Sequence, residues 1–166
     1  MKQITIFIVL VGLLLGSCSG NGKSTAVTSQ NQYTPQVENC VATQPDMLGP
    51  FYTPGAPERS QVGSGYVLYG KVLSEFGCVP IPGARIELWM AGPDGEYTDD
   101  YRATIFSEAD GSYRFESPVP VPYESRPPHI HIKVITSDFV DLVTQHYPAQ
   151  GQTEAEFNLV LTPGEG

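Results

Sequence analysis

The chain has 166 residues, 40% of them hydrophobic and 16% charged, with a formal net charge of −9 and a pI near 4.6. That length suits one domain rather than two, and the acidic balance opposes binding to phosphate backbones, so no nucleic-acid partner is expected. Nine Tyr and seven Phe supply the aromatic material of a packed core, while 17 Gly and 15 Pro are scattered rather than gathered into a low-complexity tract.

The chain opens with Met1-Lys2-Gln3 and an apolar run, Ile4 to Leu15, broken only by Thr5 and Gly12. The run has the length of a signal-peptide core and is too short to span a membrane. Leu15-Gly16-Ser17-Cys18 resembles the lipobox of bacterial lipoproteins, in which the Cys becomes the lipidated N-terminus after cleavage. The alternative is an ordinary secretory signal followed by a chance Cys. The resemblance implies a signal peptide over 1–17 and a lipid anchor at Cys18. It also implies an exported protein on the periplasmic or cell-surface side of a bacterial membrane. Cleavage removes Lys2 and no acid, which leaves the mature chain one unit more negative. With Cys18 lipidated, Cys40 and Cys78 remain as an even pair outside the cytoplasm, and a disulfide between them is expected. Two free thiols are the alternative. Residues 18–45 are polar, small and without periodicity, which predicts a flexible tether. The domain is then expected over 46–166, with order beginning near Leu48.

From there the pattern is β. Strands are predicted at Tyr66–Leu73, Arg85–Met90, Arg102–Phe106, Ser112–Glu116, His129–Thr136, Phe139–Gln145 and Glu156–Leu161. Pro82-Gly83, Pro93-Asp94-Gly95, Asp110-Gly111 and Pro118 to Pro122 supply turn signals between them. No window carries a helical stripe of ten or more residues. Short strands with frequent turns predict an all-β fold, a single antiparallel β-sandwich.

The chemistry gathers in one segment. In His129-Ile130-His131-Ile132-Lys133-Val134, histidines alternate with aliphatics. On a strand, side chains two apart share a face, so His129 and His131 point one way and Ile130, Ile132 and Val134 point into the core. The two His Cβ atoms would lie roughly 7 Å apart, from about 3.3 Å rise per residue. Two imidazoles at that spacing can converge on one ion, or they can simply be two histidines on a sheet face.

The surrounding residues extend the pattern. Arg126-Pro127-Pro128-His129-Ile130-His131 resembles the Arg-Pro-x-His-Ile-His of the intradiol ring-cleavage dioxygenases, the family of catechol and protocatechuate dioxygenases. Gly49-Pro50-Phe51-Tyr52, Gly70-Lys71-Val72 and Pro80 to Trp89 match further family segments in order. So do Gly95-Glu96-Tyr97, Gly111 to Phe115, and Leu142 to Tyr147. The match runs over about residues 48–150, far more of the chain than any single motif.

The resemblance implies a non-haem ferric ion, Fe(III), held by Tyr97, Tyr123, His129 and His131. Phenolate is a hard anionic donor suited to a trivalent cation, and a phenol with a free pKa of about 10 needs a strong Lewis acid to lose its proton. Tyr101 competes with Tyr97 but lacks the Gly-x-Tyr context. Tyr123 precedes Arg126 by only three residues, an abbreviated connection. The resemblance further implies catalytic roles for Arg126, Tyr123 and Gln145. Arg126 would stabilise negative charge on the substrate ring, Tyr123 would act as a local base, and Gln145 would partner Arg126 or the diol. Tyr52 and Tyr147 are expected as pocket residues, and His146, in the variable slot of the Thr-Gln-x-Tyr run, as a supporting or surface residue. Where the family has Gly-Arg and Gln, this chain has Ala103-Thr104 and Met90, departures that bear on substrate identity. The implied reaction opens a catechol-type ring between its two hydroxylated carbons with O2 and gives a muconate-type diacid. The alternatives are a degenerate family member that binds metal or catechols without turnover and a non-catalytic β-sandwich binding module of a surface lipoprotein. The first 45 residues leave no room for a helical dimerisation region, so any oligomer is expected to use the sandwich itself.

Overall fold

The computed structural model describes residues 39–164. The expected signal peptide, the lipidation site Cys18 and most of the tether lie outside the described residues. In chain order the strands are β1 (Gly65–Ser74), β2 (Arg85–Trp89), β3 (Arg102–Phe106), β4 (Ser112–Pro118), β5 (Ile130–Ile135), β6 (Leu142–His146), β7 (Glu154–Glu156) and β8 (Leu159–Leu161). A single 3-10 turn, Asp99–Tyr101, precedes β3. Among the described residues no helix is long and apolar enough to cross a membrane.

Two four-stranded sheets pack face to face. In the first, β1 pairs antiparallel with β4 along one edge, and with β7 and then β8, both parallel, along the other. The second runs β3-β2-β5-β6, antiparallel throughout. Strand alternation sends Leu68 and Val72 of β1, Ile86 and Leu88 of β2, Phe115 of β4 and Ile130, Ile132 and Val134 of β5 into one shared core.

The seven predicted strands are all present, and the differences have local causes. The last one, predicted as continuous over Glu156–Leu161, is interrupted at Phe157-Asn158. There the chain passes so close to β1 that a Cβ on Gly70 would meet the Phe157 carbonyl, and the Asn158 side chain takes over the ladder by accepting from the Lys71 N–H at 2.8 Å. Phe139, predicted to start β6, forms only an isolated bridge to Pro163.

The larger difference is at the N-terminal end. Order was expected near Leu48, yet residues 39–47 are already pinned to the domain. Cys40 is bonded to Cys78, and the Cys40 N–H donates to the Glu75 carbonyl. Thr43 pairs with Val160 beside β8, and the Asp46 N–H donates to the Val143 carbonyl of β6. The chain then crosses the outer face of the β3-β2-β5-β6 sheet. It reaches Thr104 of β3 through Pro57 and Arg59, and Glu116 of β4 through Ser60 and Val62. Residues 43–62 are therefore a belt that closes both open sides of the sandwich and covers one sheet. Polar composition hid the docking of residues 39–45, because they are held by the disulfide and by backbone hydrogen bonds that any sequence can make.

His146, expected as a supporting or surface group, is instead a core residue. It faces the opposite side of β6 from Gln145, is 8% exposed, and shares a 2.6 Å hydrogen bond between its Nε2 and the buried Tyr66 hydroxyl. Burial pulls its pKa from 6.5 down to about 4. Above pH 6.5 the ring is neutral in both folded and unfolded chains, and the contribution is complete. As pH falls toward 4 the unfolded chain takes up a proton that the fold refuses, and stability is lost. Thermal unfolding should show Tm declining over this window, with an underlying loss on the order of 3 kcal/mol. His146→Gln should make that decline shallower, leaving the part that the buried His129 and His131 contribute; an unchanged slope would contradict the assignment. Removing the disulfide, which closes a loop with a sequence separation of 38 residues, should lower stability by about 2–4 kcal/mol in denaturant titrations of the Cys40→Ser/Cys78→Ser pair.

Candidate active site

The belt turns the sheet face it covers into an interior. His129 and His131 are 3% and 2% exposed, while Ile130 and Ile132 between and beside them are fully buried on the other side. Three features fix the imidazoles. The Trp89 indole, opposite His131 on β2, stacks on its ring at 4.9 Å and 5°. Gly49, in the belt at φ +73°, passes so close that a Cβ there would lie 3.0 Å from His131 Cε1. His129 Nδ1 donates to the Pro127 carbonyl at 2.8 Å, which places its proton on Nδ1 and leaves the Nε2 lone pair free. Desolvation by burial lowers both imidazole pKa values, that of His131 to about 3, so both rings are neutral at physiological pH.

The loop after β2 brings Tyr97 to the same point. Its Oη lies 3.0 Å from His129 Nε2 and 3.2 Å from His131 Nε2, and the two Nε2 atoms are 3.2 Å apart. A metal bonded to cis donors at about 2.0–2.1 Å sets them roughly 3 Å apart, so this triangle has the dimensions of one face of a coordination sphere. Among the described residues no three His, Cys, Asp or Glu side chains gather to hold a metal, so any ion here must use the phenol. Two neutral imidazoles with a phenol oxygen fit a hard trivalent cation better than a soft one. Burial pushes the Tyr97 pKa up to about 12, against a partial pull from Arg126, so Tyr97 stays protonated unless a Lewis acid binds. Tyr101, the competing tyrosine, packs on Gly92 instead.

Tyr123 approaches by its ring. It meets Tyr97 edge-on at 5.2 Å and Phe51 edge-on at 5.3 Å, and Phe51 itself lies flat on Tyr97 at 4.3 Å and 11°. Phe51 packs against both phenol rings and is anchored through its carbonyl by Arg102 Nη1 at 2.6 Å. Tyr123 and Arg126 exchange backbone hydrogen bonds across a two-residue turn, and Glu124 occupies that turn at φ +51°, a left-handed conformation unfavourable for a residue with a Cβ. The abbreviated connection therefore ties the positions of Tyr123 and Arg126 together. Tyr123 is half-buried, and its pKa is raised by desolvation, with the Glu124 and Glu96 carboxylates adding to the rise. Arg126 Nη2 donates to Gln145 Oε1 at 2.6 Å and to the Tyr147 hydroxyl at 2.8 Å.

Of the two expected pocket residues, Tyr52 faces away from the donors and Tyr147 lies beside them. Tyr52 donates to the buried Glu87 Oε2 at 2.7 Å and packs on Trp89, with Lys133 over its ring. It buttresses the indole behind His131 rather than facing the donor triangle. Tyr147 sits above His129, ring centroids 6.0 Å apart, but its hydroxyl is bonded to protein groups. Phe51, Trp89 and Asp46 were not singled out from the sequence. The first two lie inside quoted motifs; Asp46 carries no local signal. A groove of about 630 Å³ between Glu58–Ser60, Thr104–Phe106 and Ser112–Arg114 contains none of the donors, so size does not locate the chemistry.

A family model described as Dioxygenase matches residues 55–156, more than half of the chain. The chain belongs to the intradiol dioxygenase family. Within the family it is 30% identical over 139 residues to a chlorocatechol 1,2-dioxygenase of Pseudomonas sp. (strain P51), covering 63% of this chain and 55% of that protein. It is 33% identical over 126 residues to a hydroxyquinol 1,2-dioxygenase of Rhodococcus opacus, covering 67% and 40%. The chain thus spans about half the length of these curated relatives. Its fold also superposes on the dioxygenase domain of a dioxygenase carbohydrate-binding protein fusion from Streptomyces sp. SirexAA-E, with TM-score 0.65 and 26% identity, covering 74% of this chain and 99% of that one. The two-sheet sandwich is therefore that of an intradiol dioxygenase.

Gly49→Ala tests the belt's grip on the site. A Cβ at positive φ and against the imidazole should cost about 1–3 kcal/mol in urea unfolding and shift the His131 ring resonances. An unperturbed His131 spectrum would show that the close approach does not hold the ring.

Proposed function

We propose that this protein is a non-haem Fe(III) intradiol dioxygenase. It would open the ring of a catechol-type substrate between the two hydroxylated carbons with O2 and release a muconate-type diacid. The observation that carries the reading is the triangle of Tyr97 Oη, His129 Nε2 and His131 Nε2, with all sides between 3.0 and 3.2 Å. Tyr97, Tyr123, His129 and His131 would hold the ion. When bound, it supplies Lewis acidity toward the diol oxygens and the redox partner for O2.

The chain's own residues do the rest. His129 offers Nε2 because Pro127 holds its other proton. Tyr97 is fixed between Phe51 and the imidazoles, which suits a permanent ligand. Tyr123 sits at the end of a tight turn; as one of the phenolates that would hold the ion, its Oη would be the group to receive a proton from the incoming diol. Arg126 supplies a guanidinium. Gln145 and Tyr147 hold it so that it can face the negative charge that grows on the ring. The substrate class is supported by the relatives' names, chlorocatechol and hydroxyquinol 1,2-dioxygenase, which share a vicinal diol on an aromatic ring. We place the enzyme outside the cytoplasm, anchored through Cys18. The lipobox-like Leu15–Cys18 and the Cys40–Cys78 disulfide support that location.

Oxygen uptake with a panel of catechol, protocatechuate and hydroxyquinol is the direct test. The purified protein should contain iron, be red-brown from tyrosinate-to-iron charge transfer, and consume oxygen with at least one diol. Colourless ferric protein, or none of the three substrates consumed by iron-loaded enzyme, would overturn the proposal. Tyr97→Phe, His129→Ala and His131→Ala should each lose iron and colour. Arg126→Ala should keep both and still shift its visible band on binding catechol, while kcat falls by roughly 10²–10³. A near-parental kcat would remove Arg126 from the reaction.

A further inference from the structure

The Arg126 side chain is held by a hydrogen-bond chain that ends in the belt, far from it in sequence. Its Nη2 carries two protons, and both are used: one goes to Gln145 Oε1 at 2.6 Å and the other to the Tyr147 hydroxyl at 2.8 Å. That hydroxyl has a single proton to give. Gln145 Oε1 lies 3.0 Å from it and Asp46 Oδ2 lies 2.8 Å from it. The carboxylate is the stronger acceptor, so the proton goes to Asp46, and the oxygen's lone pair is thereby aimed at Arg126. Gln145 cannot rotate away, because its Nε2 donates to the Met47 carbonyl at 2.6 Å. Asp46 is fixed in turn by the Met47 N–H at Oδ1 and by its own N–H on the Val143 carbonyl. Every donor in the chain has one acceptor, and its free end is the guanidinium.

We infer that Asp46 is a positioning residue for the reaction, setting the guanidinium of Arg126 through the Tyr147 hydroxyl. The inference rests on the role given to Arg126 under Proposed function. Asp46 touches neither substrate nor metal donors. Its effect passes through one phenol, which keeps the carboxylate one side chain away from the guanidinium and preserves that group's positive charge for the substrate. The belt is thereby part of the catalytic apparatus as well as the cover of the sheet.

The test is a double-mutant cycle with the full-length enzyme, measured beside the parent protein. Asp46→Ala and Tyr147→Phe should each keep iron and the charge-transfer colour, keep KM for catechol within about threefold, and lower kcat by roughly tenfold. The double variant should be no worse than either single one, because both break the same relay. A second readout does not need turnover. In metal-free protein labelled with 15N-arginine, the Arg126 Nη protons should be resolved by NMR in the parent and averaged by rotation in Asp46→Ala. Asp46→Ala with parental kcat, multiplicative losses in the double variant, or an Arg126 Nη spectrum unchanged by Asp46→Ala would each overturn the inference. If the parent takes up iron but turns over no diol, the proposed function fails. The arginine spectrum then decides alone whether Asp46 holds Arg126.

Discussion

The site depends on one sheet being covered on both faces. β5 presents aliphatics to the sandwich core and histidines to the other side, and an open antiparallel sheet would leave those histidines in water. The belt over residues 43–62 prevents that. It carries Gly49 against His131, Phe51 against Tyr97 and Tyr52 against Trp89. Water is thereby kept from imidazoles and a phenol that are uncharged in its absence, and desolvation lowers the histidine pKa values while raising that of Tyr97. A neutral, prearranged donor set is what a cation requires: the rings have no protons to shed, and the phenol gives up its own only to a strong Lewis acid.

The covering belt carries few of the apolar residues expected of a third layer. Its hold comes from paired backbone groups at both edges, from Arg59 reaching the carbonyls of Asp99, Asp100 and Arg102, from Arg102 reaching the Phe51 carbonyl, and from Thr104 bonding Ala56 and Pro57. Arg102 is 7% exposed and pairs with Asp99 at 3.2 Å, so the same cation braces the 3-10 turn after Tyr97 and the belt residue stacked on that tyrosine. Such polar scaffolding is directional. It fixes where Phe51 and Gly49 sit in a way that a sliding apolar contact would not. The disulfide adds a covalent stop at the belt's leading end, where Cys40 is joined to the turn after β1.

The architecture also explains how a small sandwich can carry a multi-residue site. Ligand candidates come from three places: the start of β5, locked to β2 by register from Arg85↔Ile135 to Trp89↔His131, the loop after β2 that carries Tyr97, and the tight turn that joins Tyr123 to Arg126. Glu124 in its left-handed conformation is a local cost at that turn, of a kind that gathers beside functional groups. Phe51 then couples the turn to Tyr97 by packing, without a hydrogen bond.

Much of this was legible in the residues themselves. Strand alternation is a local property, so β3 was predicted with its observed bounds and the inward-facing Ile130, Ile132 and Val134 followed from the period of two. The same period assigns His146 to the face opposite Gln145, where it enters the core. The Tyr97–His129–His131 triangle followed from the family pattern; spacing alone could say only that two histidines share a face. Tertiary structure decided the rest, because those relations connect residues whose separation in the chain leaves no periodic trace. Asp46 meets Tyr147 across 101 positions. The Phe157 carbonyl fills the space above Gly70, and residues 43–62, which carry no strand period, become a belt where the edges of both sheets offer them backbone partners. The sequence determined which side chains each strand turns to which face; only the assembled sandwich determined what stands opposite them, because that depends on chain segments brought together by burial rather than by neighbourhood in sequence.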